Sequence, residues 1–158
     1  MVLLMSTVWL YAQLQKSNQS LASISNRIKE IEDKNGELAQ ELFETNKWYD
    51  AINQPSTSKI TLKGNEVSPS SLAISYVNHD RKSVIVNTAG LASLSGAEDY
   101  QMWADVDGVM IDMGVIPRKA SMVEMQYIEN AASLNITIEP KGGSEHPTVS
   151  KLIANVYL

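Results

Sequence analysis

Three groups of residues in this 158-residue chain have the types and spacing to do chemistry. Asp105, Asp107 and Asp112 surround Gly108, which invites comparison with a calcium loop. Such a loop needs oxygen ligands at alternate positions over twelve residues and a closing bidentate Glu. Here the apolar run Val109-Met110-Ile111 follows directly, so the acids read as a solvated hairpin tip. His79 and His146 are the only histidines, and neither is flanked by ligand spacing. A zinc site needs a third and usually a fourth ligand, so both read as surface histidines. Ser144 follows Gly142-Gly143, but no Gly-x-Ser-x-Gly elbow surrounds it. The same stretch lacks the Lys of a phosphate loop. Its glycines read as residues that reach positive φ in a tight loop, stiffened by Pro140 and Pro147. With no nucleophile, acid–base pair or ligand cluster in view, the residues point away from an enzyme and call for no metal or cofactor.

Bulk properties narrow the class further. Lys+Arg number 13 against Asp+Glu 18, a formal net charge of −5. Arg81-Lys82 and Arg118-Lys119 are isolated doublets, so a nucleic-acid footprint is not expected. Cysteine is absent, which removes disulfides and thiolate zinc sites from this chain and is compatible with any compartment, a periplasm included.

The elements that position these residues fall into three segments. Residues 1–15 carry no charge and are rich in apolar side chains, with Trp9 and Tyr11 toward the far end. Interfacial aromatics belong there in a membrane helix. A span needs roughly 20 apolar residues, so the segment reads as the outer part of a truncated transmembrane helix; the alternative is an apolar coiled-coil end or a buried helix.

Residues 16–54 read as a coiled-coil stalk. From Met1 to Asn53 there is no proline and one glycine, Gly36. Leu14, Leu21, Ile28, Asn35 and Leu42 occupy heptad position a, and Ile24, Ile31 and Leu38 occupy d. Asn35 at a would fix register and strand number at some loss of stability. Arg27 at g and Glu32 at the next e attract across a parallel dimer, at less than about 1 kcal/mol for an exposed pair. A dimer is favoured and a trimer is open, because Leu and Ile mix at both positions. Trp48 and Tyr49 lie where the stalk ends, as docking residues or as a patch for a partner.

Residues 55–158 read as a compact antiparallel β-sandwich, making the chain mainly β. Pro55 and the Ser/Thr cluster after it end the helix. Beyond, about seven short runs of period-two or apolar character alternate with turn signals, the sandwich signature. Asp107-Gly108 between two apolar runs is the strongest hairpin signal, since a type I′ turn needs positive φ at both central residues. Ser121 to Ile128 breaks the pattern, with Met122, Met125 and Ile128 spaced by threes, and reads as a short helix or irregular crossover.

Several blocks in the last two thirds of the chain resemble a known family. They are Tyr100-Gln101-Met102-Trp103, the Asp107-Gly108 turn, and Gly114 within an apolar strand. Ile136-Thr137-Ile138-Glu139-Pro140-Lys141-Gly142-Gly143-Ser144 and Pro147-Thr148 complete the set. Val84-Ile85-Val86, leading to Gly90-Leu91-Ala92 and Gly96, stands before them. In this order they resemble the C-terminal extracytoplasmic domain of the anti-sigma-K factor family. Ala92 and Ser95 stand where that family usually has prolines.

The resemblance implies a single-pass inner-membrane protein with residues 16–158 in the periplasm or extracytoplasmic space. It implies a cytoplasmic zinc-binding domain that holds an extracytoplasmic-function sigma factor, released after cleavage by a site-1-type protease. This chain has no His-x-x-x-Cys-x-x-Cys element, so the sigma factor would be held by a part not present in it. The rival reading is a stalked structural, adhesive or ligand-binding sandwich, with the Gly142 to Thr148 loop as the place for a ligand.

Overall fold

A computed structural model describes residues 2–118 and 120–158, and of residues 2–4 the backbone without the side chains. Met1, the side chains of Val2, Leu3 and Leu4, and Lys119 of the second basic doublet lie outside the described residues. The chain divides into two compact units, Met1–Lys47 and Trp48–Leu158.

Helix α1 runs Val2–Ile52. An uninterrupted run without proline allows it, and Gly36 adds no side chain that meets anything within 4 Å. Its last carbonyls are satisfied locally. Asn53 Nδ2 donates to the Tyr49 carbonyl at 2.7 Å, Gln54 Nε2 to Asp50 at 3.0 Å, and Thr57 Oγ1 to Ala51 at 3.2 Å. Polar side chains after the last turn thus supply donors to these carbonyls, alongside the Asn53 amide that also reaches Tyr49 at 3.1 Å, and Pro55 prevents continuation. The apolar seam residues are all exposed, from 51% at Ile28 to 62% at Leu21. Among the described residues no helix is long and apolar enough to cross a membrane.

The second unit carries eight strands: β1 Thr57–Gly64, β2 Leu72–Asn78, β3 Ser83–Gly90, β4 Glu98–Val106, β5 Val109–Ile116, β6 Met122–Met125, β7 Ser133–Pro140 and β8 Leu152–Tyr157. They form one continuous sheet in the order β5-β4-β7-β8-β1-β2-β3-β6, with every neighbouring pair antiparallel. Two separate stacked sheets were expected; instead a single sheet curls until it is nearly a barrel. Its two end strands meet through one main-chain hydrogen bond, from the Gln126 amide to the Met113 carbonyl at 2.9 Å. A bulge makes that approach possible. Met102 pairs with Gly114 and Trp103 with Asp112, leaving Met113 as an extra residue in β5. A bulged strand bends and twists more strongly.

The segment Ser121 to Ile128, read as a helix or crossover, contains β6 instead. Its four residues pair with Val84 to Asn87 of β3. The spacing of its methionines by threes carried a false helical signal. The free edge of β3 decides the matter, because pairing satisfies main-chain groups that a single helical turn would leave open.

Alternate residues of the strands fill the interior. Leu62, Val86, Met102, Ala104, Ile136, Ile153 and Ala154 are fully buried. Each large aliphatic among them contributes about 1.5–3 kcal/mol through removal from water. Ser75, on the same face of β2 as Ala73 and Val77, is also fully buried, and its Oγ has no hydrogen-bond partner. An unsatisfied buried hydroxyl costs about 1–3 kcal/mol. Replacing Ser75 by Ala should therefore raise unfolding stability, by about 1 kcal/mol. Urea unfolding of both proteins measures it, and a lower midpoint for Ser75→Ala would show that the hydroxyl is satisfied after all.

Candidate functional site

Strands β4 and β7 have two buried faces. Their even-numbered residues, Tyr100, Met102, Ala104, Leu134 and Ile136, point into the apolar core. Their odd-numbered residues, Gln101, Trp103, Asn135, Thr137 and Glu139, are buried as well, on the opposite face. Strand alternation alone would put that face in water. What covers it is the connection from β7 to β8, the loop 141–148 and the 3-10 turn Val149–Lys151.

Side chains of β4 hold the loop's main chain. The Ser144 amide donates to Gln101 Oε1 at 2.8 Å, while Gln101 Nε2 donates to the Ser144 carbonyl at 3.1 Å. The same nitrogen donates to Asp112 Oδ1 at 2.8 Å, an acid held beside it by the β5 bulge. The Gly142 amide donates to Asp99 Oδ2 at 2.9 Å, and the Lys141 amide to the Ala97 carbonyl at 2.9 Å. Gly143 has φ +88, and a Cβ there would lie 2.7 Å from both Gln101 Oε1 and Val115 Cγ2. Conformation and space both demand glycine at that position.

Glu139 is the centre of the layer and is fully shielded from solvent. The Thr148 amide donates to its Oε1 and the Thr148 hydroxyl to its Oε2, each at 2.7 Å. Burial pushes the Glu139 carboxyl up, but hydrogen bonds from the Thr137 hydroxyl, from Thr148 and from the Ser144 hydroxyl outweigh it. The net effect holds the group below its ordinary value. Trp103 Nε1 donates to Thr137 Oγ1 at 2.8 Å. The donors therefore run in series, from indole to threonine hydroxyl to carboxylate.

Ion pairs tie the margin. Arg118 Nε sits 2.7 Å from Asp99 Oδ1, and its Nη2 donates to the Gly96 carbonyl at 2.8 Å. The Arg118 hydrogen bond, followed by the Gly142 amide, keeps the Asp99 carboxyl below the usual carboxylate range. Lys151 Nζ lies 2.8 Å from Glu98 Oε1 and lowers that carboxyl likewise, with help from Ser95.

The structure brings Gln101, Trp103, Glu139, Gly142, Gly143, Ser144 and Thr148 into this one layer. Pro140 ends β7, with its carbonyl accepting from the Gly143 amide at 2.8 Å, and Pro147 is half-buried in the same loop. Four motif residues lie elsewhere. Tyr100 faces the core, and its hydroxyl donates to the Ala92 carbonyl at 3.1 Å. Asp107 and Gly108, with φ of 53° and 82°, form the β4–β5 turn. Gly114, with φ 119°, sits at the bulge. Thr137, Asp112, Asp99, Glu98, Arg118 and Lys151 were not foreseen as partners. The alternation of polar residues at 135, 137 and 139, opposite 99, 101 and 103, is the signal that could have exposed the face.

His79 is exposed, and its Nδ1 lies 2.8 Å from the Tyr127 hydroxyl, with the rings edge-on at 5.8 Å. Trp48 is half-buried and Tyr49 is exposed. Among the described residues no three His, Cys, Asp or Glu lie close enough to share a metal ion.

Chemically the layer is saturated. Glu139 accepts both short bonds from Thr148 and is fully shielded from solvent. Its action is to clamp the β7–β8 loop.

The family model described as anti-sigma-K factor RskA, C-terminal, matches residues 3–152. An uncharacterized protein in the phr 5′ region of Streptomyces griseus is 29% identical over 75 residues, 46% of this chain. The chain spans 32% of that relative's length. No solved structure matches.

The clamp depends on charge. Because the folded carboxyl titrates below its unfolded value near 4.5, its stabilisation is complete above that value. It is lost as pH falls through the lower folded value. Glu139→Gln should lower stability at neutral pH by about 2 kcal/mol and flatten the acid limb of the stability–pH curve. Thermal melts from pH 3 to 7 read both, and parallel curves for the two proteins would refute an ionised Glu139.

Proposed function

The chain belongs to the anti-sigma-K factor family, and from that premise we propose that Trp48–Leu158 is the extracytoplasmic regulatory domain of a membrane-anchored anti-sigma factor. The observation that carries this reading is the family match over residues 3–152, which takes in both the helix and the sheet. The family blocks gather into a saturated clamp, and that favours a regulatory fold over catalysis. We read the uncharged residues 1–15 as the outer part of a membrane span. Trp9 and Tyr11, each 64% exposed, suit its interfacial end. The sigma factor would be held by a cytoplasmic part outside this chain, and proteolysis near the membrane or at Gln54 to Ser58, where Pro55, Ser56 and Ser58 are exposed, would release it.

The absence of cysteine makes the sidedness measurable. Glu145→Cys places one thiol on an exposed loop position. In intact host cells expressing the full gene, a membrane-impermeant maleimide should label it and leave the unsubstituted protein, with any cysteines of its cytoplasmic part, unlabelled. Labelling only after lysis would defeat the extracytoplasmic assignment.

The stalk is the second part of the proposal. Leu14, Leu21, Ile24, Ile28, Ile31, Leu38 and Leu42 leave apolar side chains exposed along one helix. A second copy of the helix supplies the cover such a seam needs. Asn35 sits among them. Asn35→Leu should raise stalk stability by about 1–3 kcal/mol and blur a dimer into a mixture of stoichiometries. Analytical ultracentrifugation reads both, and a monomer at every concentration would end the coiled-coil idea.

A further inference from the structure

The sheet is weakest at its middle. β1 pairs with β2 along seven residues but with β8 at only Lys63 and Gly64. At that junction β8 carries a bulge: Ile136 pairs with Ala154 and Thr137 with Leu152, which leaves Ile153 extra. The bulge bends β8 so that Val156 and Tyr157 follow β7 and leave β1. Between the parted strands opens a cleft of about 730 Å³. Ser58, Lys59, Ile60 and Thr61 form one wall and Val156, Tyr157 and Leu158 the other. Val77, Val84 and Leu134 give it an apolar floor.

Residues 127–131, between β6 and β7, line the rest of the cleft together with His79 and Met113. The two facing walls are strand edges. From Ser58 to Leu62 the side of β1 turned from β2 has no strand partner among the described residues. Such an edge offers amides and carbonyls in alternation, about 3.3 Å apart along the chain. A small molecule or a helix cannot answer that row, and a second strand can. Natural edges are usually blunted by proline, a bulge or inward charge. This stretch has none of these, and its one charge, Lys59, is exposed.

We propose that the cleft binds an extended peptide segment of a partner protein, which adds as a strand along β1. β1 and β8 run in opposite directions, so an inserted strand can be antiparallel to only one of them. β1 has the longer free edge, and antiparallel pairing there is the more stable choice. Side chains at alternate positions of the peptide turn down onto Ile60, Val77, Val84, Leu134 and Val156 and must be apolar. A position turned outward lies beside Lys59 and favours Asp or Glu. The site is separate from the Glu139 clamp and does not depend on which side of a membrane the domain occupies.

The test uses the full chain and a panel of capped heptapeptides. Val, Ile, Leu or Phe fill three alternate positions, with Asp or Thr between them. Each has a twin with proline at its centre, which removes a main-chain donor. Amide hydrogen exchange is followed residue by residue. With peptide at ten times its Kd, exchange of those amides from Ser58 to Leu62 that face away from β2 should slow by about tenfold, with no such effect from the proline twin. Ile60→Asp should abolish the protection while the Glu139 clamp amides, Ser144 and Thr148, keep theirs. No protection from any peptide at millimolar concentration overturns the proposal, and so does equal protection by the proline twins. Protection that rises with protein concentration in the absence of peptide overturns it too, because the occupant would then be a second copy of this chain.

Discussion

A carboxylate removed from water has to be given back its hydrogen bonds, and the fold of the second unit is arranged around meeting that demand at Glu139. Desolvation alone would drive the group toward its neutral form. Four donors reverse the balance, and three of them, the Thr148 amide and hydroxyl and the Ser144 hydroxyl, come from the β7–β8 loop. The loop can therefore take only one path over β4. Gln101 reads the same path from the main chain of Ser144, accepting and donating at once. The position of β8 follows, because the strand leaves this loop directly.

Residues scattered over fifty positions of sequence thus do one job. The Tyr-Gln-x-Trp block supplies the surface, the Glu-Pro-x-Gly-Gly-Ser block supplies the carboxylate and the turn, and Pro-Thr closes it. A fold built this way holds its shape without a ligand. A buried network in which every member is paired provides that, because loosening any one member strands the others in a low dielectric.

Much of the strand pattern could be read from residue types. Period-two runs in β1 and β2, and the Asp107-Gly108 turn, announce themselves through local sterics. The helix over residues 2–52 was legible for the same reason. Three things were not. The curl of one sheet in place of two stacked ones depends on bulges at Met113 and Ile153, which no local propensity marks. The strand β6 exists only because β3 has an edge to fill. The buried polar face of β4 and β7 looked like a solvent face, since the loop that covers it is itself polar and rich in turn residues. Within that layer the motif residues were visible individually, whereas Asp112, read as a hairpin acid, became a partner of Gln101 only through the bulge.

The order of the strands has a consequence for how the protein is made. β8 is the last strand in chain order, yet it lies between β7 and β1 near the middle of the sheet. A growing chain can pair β1 with β2 and β3, and later β4 with β5 and β7, while still attached to the ribosome. It cannot join those halves until residues 152–157 have emerged. Until then each half has an open edge and an uncovered interior. The core of the domain therefore closes only when residues 152–157 join β7 to β1, so the two halves depend for their completion on one strand that follows both of them in sequence.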